Sequence, residues 1–217
     1  MMAPHGCKLK PCQVQDKHDA ELFDKEPCCT DSDWESKNRG PFKSTAGLTK
    51  AAGIRADDFV LDGGCGTGVV SEEVARRLAS FGLVIGFDFS RGALSIAKSS
   101  VPSGDFVEMD AENIEIHAKF DRTVHQYVLM FFTELAKTLV QLRALVNEET
   151  GWLAVATHGT RQSVPYFRIA MEPVLRHIPD IKSTGAPNID RFDNPDDLER
   201  VISAAGFSGV SIKKSFF

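Results

Sequence analysis

The sequence lacks any apolar run of the roughly 20 residues that a membrane-spanning helix needs. Its N-terminus, MMAPHGCKLKPCQ, also lacks the apolar centre of a signal peptide. An excess of basic residues is missing too, since 25 Lys and Arg face 30 Asp and Glu and the net charge is −5. Such a balance argues against a nucleic-acid surface, which relies on clustered Lys and Arg. These absences predict a soluble, cytoplasmic protein that has no nucleic-acid partner.

Cysteine is scarce and irregularly spaced. Four of the five cysteines lie near the N-terminus, at Cys7, Cys12, Cys28 and Cys29, and the fifth is Cys65. No CxxC pair occurs, and two adjacent cysteines suit neither a zinc site nor a simple disulfide. We therefore expect reduced thiols and no metal. Residues 1–40 show little periodicity, so we interpret them as a mobile leader with one short helix near residues 16–25.

Strand and helix patterns alternate from residue 41 onward. Short apolar runs predict strands at 59–62, 83–88, 105–110, 120–126 and 151–157, and a last strand within 207–217. Helical spacing predicts helices at 69–78, 91–98, 132–147, 163–177 and 195–205, the last of them ended by Gly206. This alternation is typical of an α/β domain, here residues 41–217, in which helices cover both faces of a mostly parallel sheet.

A glycine-rich turn, LDGGCGTGVV, joins the first predicted strand to the first helix. A dinucleotide site requires GxGxxG, and in the frame that starts at Gly64 the last position is Val69. The pattern that fits is Asp-x-Gly-x-Gly-x-Gly, formed by Asp62, Gly64, Gly66 and Gly68. The dinucleotide fingerprint therefore fails, so we expect neither NAD nor NADP, and the glycines by themselves leave open a different ligand or a tight turn that binds none.

Together with its companions, this turn resembles the class I S-adenosylmethionine (SAM)-dependent methyltransferases, in the branch related to ubiquinone-biosynthesis enzymes. LDGGCGTG is similar to the first motif of that family, GFDFS to the second and EMDAENI to the third. FDRTVHQYVLMFF and GWLAVATHG resemble its fourth-strand and fifth-strand segments. The resemblance runs from about Leu48 to Phe217. It implies a Rossmann-like three-layer sandwich, SAM as the cofactor and S-adenosylhomocysteine (SAH) as the product.

The same resemblance implies a set of cofactor-binding residues. They are Asp62, Gly64, Cys65, Gly66, Gly68, Asp88, Phe89, Asp110, Ala111 and His125. Asp88 would accept from both ribose hydroxyls, because a carboxylate offers two acceptors to a vicinal diol. Asp110 and the amide of Ala111 would supply the acceptor and the donor that adenine needs. His125 would lie beside the methionine amine.

The sequence indicates the methyl acceptor less directly than the cofactor. The segment after strand four lacks the Asn/Asp-Pro-Pro-aromatic motif of base-amino methyltransferases, and the chain lacks the Pro-Cys of cytosine C5 enzymes and the double-Glu loop of arginine methyltransferases. A small, largely apolar acceptor is therefore predicted, methylated on O, N or C. The candidate acceptor wall consists of Tyr127, Met130, Phe131, Tyr166, Phe167 and Met171, with Phe192 as an addition.

Two histidines, His125 and His158, follow strands four and five and are expected near the mouth of the cofactor cleft. Either a role as catalytic base or a plain hydrogen bond to the backbone fits them, and the sequence leaves both open.

The C-terminus departs from the family pattern. The chain ends at SIKKSFF, which leaves no residues for the seventh strand that hairpins back into the sheet in the family. We therefore expect a missing seventh strand and an altered acceptor pocket. Three functions stay open: a small-molecule methyltransferase, a SAM-binding enzyme that does not methylate (such as a cyclase), and a non-catalytic partner subunit. The leader, with Trp34, is expected to close over the cofactor, and an oligomer is left open.

Overall fold

The computed structural model describes residues 44–160, 164, 169, 172–177 and 191–215. Helices α1 to α6 span Ser44–Ala51, Val69–Ala75, Arg91–Ser100, Leu135–Leu145, Glu172–His177 and Pro195–Ala204. Strands β1 to β5 span Phe59–Gly63, Leu83–Asp88, Asp105–Glu108, Arg122–Gln126 and Trp152–Ala156, and a 3-10 helix spans Leu129–Phe131. The expectations for the leader, including its short helix, its cysteines and Trp34, lie outside the described residues, as do those for Tyr166, Phe167 and Met171.

The five strands form one sheet in the order β3-β2-β1-β4-β5. All four neighbouring pairs are parallel, with Leu61 of β1 opposite both Ile85 of β2 and Thr123 of β4. The carboxyl ends of the strands therefore share one edge of the sheet. The direction of winding reverses between β1 and β4, and open α/β sheets bind ligands at such a point. The predicted α/β architecture is confirmed.

Two apolar clusters, one on each face of the sheet, form the core. Val60 and Leu61 are both fully buried but belong to different clusters, because successive side chains of a strand point to opposite faces. Leu48 of α1 and Val74 of α2 pack with Val60, whereas Leu139 of α4 packs with Leu61. A sheet buried on both faces explains why its strands read as continuous apolar runs.

Local signals set several element boundaries. Asn194 caps α6 by accepting a hydrogen bond from the amide of Asp196 at 3.1 Å, and Pro195 occupies the first turn. Gly206, at φ +92°, follows the helix as expected. The helix α1 was not predicted, and α4 begins at Leu135, later than its apolar spacing suggested.

The predicted last strand is absent from the described part of 207–217. Residues 207–215 form no strand. Gly209 adopts φ +65°, which interrupts an extended strand, and Phe207 and Val210 pack against the core beside α4 and α6. The strand prediction was therefore wrong for residues 207–215, because these apolar side chains serve the core without sheet pairing.

A buried ion pair ties together the amino-terminal edge of the sheet. Arg122 Nε lies 3.4 Å from Asp58 Oδ2, and both side chains are almost fully buried. The guanidinium also donates to the carbonyls of Asp121 at 2.6 Å and Thr150 at 3.1 Å. The charge of Arg122 is thus matched by a carboxylate and by carbonyl dipoles, and the starts of β1, β4 and β5 are held together.

Helix α2 begins without a cap of its own. Its N-cap residue is Gly68, which has no side chain to accept from the first amides. Asp62 at the end of β1 instead ties the first turn of the helix to the strand, since its Oδ2 accepts from Ser71 Oγ at 2.7 Å. Burial raises the pKa of Asp62 to about 7, and the hydrogen bonds from Ser71 only partly offset that effect.

We expect Asp58→Ala to lower the free energy of unfolding by about 3–5 kcal/mol, because it leaves the Arg122 charge buried and unpaired. Urea denaturation measures the change. The control is Glu108→Ala, which breaks the exposed Arg91–Glu108 pair and costs about 1 kcal/mol or less. Equal losses in the two variants would contradict the assigned role of the buried pair.

Asp62 is also expected to make stability depend on pH. Its carboxyl keeps a proton up to about pH 7 in the folded protein but ionises near 3.8 when unfolded, so its contribution falls as pH rises across that window. Asp62→Asn removes this loss. The free energy of unfolding of the variant should therefore rise relative to that of the parent by up to about 1.4 kcal/mol for each pH unit across that window. The pKa of His125 is lowered to about 4, so its contribution to stability rises with pH below pH 6.5, opposite to that of Asp62. Both proteins contain His125, so the difference between them reports on Asp62 alone.

Urea denaturation of both proteins from pH 4 to pH 8 measures the difference. Asp57→Asn, an exposed site, controls for the loss of one carboxylate. A difference between Asp62→Asn and the parent that does not change with pH would show that the carboxyl ionises normally in the fold.

Candidate functional site

The three alternating glycines of the turn all have left-handed backbone, but they serve different purposes. A Cβ on Gly64 would overlap the side chain of Val128, and one on Gly68 would lie 2.9 Å from the Cβ of Ala97 in α3. These two glycines are needed for packing. A Cβ on Gly66 would meet no described atom within 4 Å. Gly66 is therefore the glycine that leaves its backbone open to a ligand.

The carboxylate of Asp88, at the end of β2, lies directly against Gly66. Its Oδ2 accepts from the Gly66 amide at 2.9 Å, and its Oδ1 accepts from the Ser90 amide at 2.9 Å. A carboxylate oxygen can accept more than one hydrogen bond, so the same group can also receive a vicinal diol. A pyrophosphate would meet a negative charge here, and the amide of Gly66 is already bonded. The geometry favours a ribose over the phosphates of a dinucleotide.

The third motif reaches the same edge through strand pairing. Asp88 lies opposite Glu108 on β3, and the amide of Met109 donates to the Asp88 carbonyl at 2.9 Å. Asp110 follows, exposed to solvent, and its Oδ1 accepts from the Glu112 amide at 2.8 Å to close a tight turn. Ala111 packs on the core beneath this turn. The ribose-binding and adenine-binding candidates are thus neighbours in the fold.

Phe89 and Cys65 complete the set of implied cofactor residues. Phe89 follows Asp88 with 45% of its surface exposed, as a face for a planar ring requires. Cys65 is buried, and its Sγ lies 3.7 Å from the Gly66 carbonyl. Burial strongly raises the pKa of this thiol, so it contributes packing and no nucleophile.

His125 has no exposed surface. Its Nδ1 lies 3.1 Å from the carbonyl oxygen of Gly63, and because a carbonyl can only accept, Nδ1 donates and Nε2 is an acceptor. Burial lowers the pKa of His125 to about 4, so the ring is neutral near pH 7. Nε2 is buried without a hydrogen-bond partner among the described residues.

This position differs from the one expected for His125 at the mouth of the cleft. A Cβ on Gly63 would overlap the imidazole, so the missing side chain of Gly63 makes room for the ring beside β1.

Tyr127 and His158 stand together after β4 and β5. Their rings are stacked, with centroids 4.4 Å apart and planes 9° from parallel. Tyr127 has φ +55°, a strained conformation for a residue with a side chain, and its hydroxyl donates to Ser44 Oγ at 2.8 Å. Gln126 also donates to Ser44, at 2.6 Å, so α1 is anchored to this corner. His158 is partly buried, and burial lowers its pKa.

Other acceptor candidates lie elsewhere. Met130 and Phe192 are almost fully buried, and Phe192 belongs to the core with α4 and α6. Their apolar character therefore serves packing, whereas Phe131 is 56% exposed. The sequence also gave no sign of two polar residues that organise this edge, Ser44 and Glu112. A hydrogen bond between segments far apart in the chain leaves no local pattern.

Two further properties concern the described ranges only. They contain no group of three or more His, Cys, Asp or Glu placed to hold a metal ion. They also contain no helix long and apolar enough to cross a membrane.

Comparison with known proteins finds that the chain is similar to methyltransferases. A family model for a methyltransferase domain matches residues 60–149. The ubiquinone biosynthesis O-methyltransferase of Nitrosomonas europaea is 29% identical over 173 residues, which are 75% of this chain and 70% of that protein. The enzyme of the same name from Rhizobium etli is 31% identical over 164 residues, 73% of this chain and 63% of the relative. The chain therefore spans less than two thirds of the second relative.

The fold has a counterpart among solved structures. A SAM-dependent methyltransferase from Aquifex aeolicus superposes with a TM-score of 0.59 at 15% identity, and 88% of each chain is covered. At that identity the likeness concerns the fold. In its matched domain, its named relatives and its fold, the chain is therefore similar to SAM-dependent methyltransferases.

Proposed function

We propose that this protein transfers a methyl group from SAM to a hydroxyl of a small, largely apolar aromatic acceptor of the quinol type. The observation that carries the proposal is the Asp88 carboxylate held against Gly66, whose backbone is open, at the switch point of a parallel sheet. As part of the same proposal, the protein acts in the cytoplasm, without nucleic acid, through a SAM-binding domain formed by residues 41–217.

The residues present fit SAM, which supplies an electrophilic methyl on a sulfonium when bound. Asp88 would accept from the ribose hydroxyls, and Asp110 and Ala111 would hold the adenine. His125 has no exposed surface, and its Nδ1 donates to the Gly63 carbonyl, so it would act on the methionine end of the cofactor by holding the turn in place.

The acceptor assignment rests on the corner formed by Tyr127 and His158. Two stacked rings offer a flat apolar surface to an aromatic acceptor. The relatives are named for O-methylation in ubiquinone biosynthesis, which supports a ring hydroxyl as the nucleophile.

His158, partly buried and with a lowered pKa, is neutral near pH 7 and can take the hydroxyl proton. When bound, SAM would supply its methyl group to the oxygen so deprotonated, and His158 would hold the proton that the hydroxyl loses. His125 is completely buried, so we assign the base role to His158 in preference to His125. Positioning of the two substrates and exclusion of water supply the rest of the rate.

Asp88→Ala should weaken SAH binding by about 2–3 kcal/mol, or tens to a hundredfold, because two charge-assisted hydrogen bonds to the ribose are lost. Isothermal titration calorimetry measures it, with NAD as a parallel titrant that should give no heat. The control is Asp105→Ala, an exposed carboxylate at the start of β3. An unchanged dissociation constant in folded Asp88→Ala, or tight binding of NAD without SAM, would refute the cofactor site.

His158→Ala should lower the single-turnover rate by about 10²–10⁴ while SAM affinity stays nearly constant, because a base acts only on the chemical step. The assay uses methyl-labelled SAM with a panel of catechols and hydroquinones. In the parent the rate should fall as pH drops below the lowered pKa of His158, and the variant should lose that dependence. His177→Ala, an exposed histidine on α5, is the control.

If His158→Ala turns over at the parental rate, His158 is not the base, and positioning of the two substrates alone drives the transfer. A parent that binds SAM but methylates no member of the panel would favour the non-methylating alternatives.

A further inference from the structure

Glu112 carries a buried carboxylate that the proposed chemistry does not use. It follows the adenine-side residues Asp110 and Ala111, and only 6% of its surface is exposed. Its Oε1 accepts from the amides of Thr133 at 2.6 Å and Glu134 at 3.3 Å. These amides belong to the acceptor-side segment 127–134, which connects β4 to α4. A side chain from one half of the site thus holds the backbone of the other half.

A second side chain joins segment 110–114 to the helix that follows segment 127–134. Gln141 of α4 donates through Nε2 to the Glu112 carbonyl at 3.1 Å, and its Oε1 accepts from the amide of Ile114 at 3.0 Å. The adenine-side segment 110–114 is therefore bonded both to the start of α4 and to its middle. A shift of the adenine side is transmitted to the acceptor side through hydrogen bonds of fixed direction.

The energetics favour a specific role for the charge of Glu112. Burying a carboxylate is costly unless charge-assisted hydrogen bonds compensate, and such bonds are roughly twice as strong as neutral ones. The two amides that Glu112 accepts from lie at the N-terminal end of α4, where the helix dipole also favours a negative charge. A neutral glutamine keeps one acceptor oxygen and should preserve part of the link.

We propose that Glu112 is a positioning residue that couples cofactor binding to the acceptor wall. In this role it fixes segment 127–134 to segment 110–114, so that occupation of the adenine side orders the acceptor side. The inference rests on the proposed function, since it takes adenosine as the ligand of segment 110–114. It goes beyond the proposed function because it makes the order of the acceptor wall depend on cofactor binding, through the side chain of Glu112.

The test is amide hydrogen exchange of the parent and of two variants, Glu112→Gln and Glu112→Leu, with and without SAH. The informative amide is that of Phe131, which donates to the Val128 carbonyl at 2.9 Å and not to Glu112. In the parent, SAH should slow exchange both at 110–112 and at Phe131. In Glu112→Leu, SAH should still slow exchange at 110–112 but no longer at Phe131. In Glu112→Gln, part of the slowing at Phe131 should remain.

Glu115→Gln is the matched control, because this nearby carboxylate is exposed and lies outside segment 110–114; it should respond like the parent. If Glu112→Leu does not fold, Glu112→Gln and Gln141→Ala, which cuts the second link, carry the test. Melting temperatures recorded in parallel separate the roles, since a merely structural Glu112 would lower them and leave the response of Phe131 to SAH intact. That result overturns the proposal.

The remaining outcomes separate this proposal from the one before it. SAH binding that leaves Phe131 unchanged in the parent overturns the coupling alone. A parent that does not bind SAH overturns the cofactor assignment and the coupling together.

Discussion

Two carboxylates hold the turn between β1 and α2, and the geometry of the site depends on them. Asp62 ties the first turn of α2 to β1 by accepting from Ser71, and Asp88 accepts from the amide of Gly66. The loop is thereby fixed at both ends without help from a ligand. A site organised in advance loses less freedom when it binds, which favours affinity for the nucleoside.

This arrangement is also the physical basis of the proposed preference for a nucleoside over a dinucleotide. In a dinucleotide site the loop amides and the helix N-terminus face a pyrophosphate. Here a buried acid sits at the start of the helix, and a second acid occupies the amide of Gly66. The charge of the Asp88 carboxylate therefore disfavours a phosphate at this loop, although its glycine content is nearly that of a dinucleotide site.

The acceptor half depends on contacts between segments distant in the chain. Tyr127 keeps a strained backbone, and its hydroxyl bond to Ser44 and its stacking on His158 compensate the strain. Glu112 joins the adenine side to the start of α4 in the same way.

The sequence by itself determined the α/β alternation, the first strand-turn-helix unit and the order of the motifs, because these depend on local periodicity and on glycine spacing. It also placed Asp62, Asp88 and Asp110 at strand ends, which the parallel sheet gathers at one edge. Tertiary structure alone decided which glycine faces open space, why His125 is buried beside Gly63, and that Phe192, Phe207 and Val210 pack on the core while residues 207–215 form no strand. Burial and pairing depend on neighbours tens of residues away, and no local pattern in the chain encodes those distances.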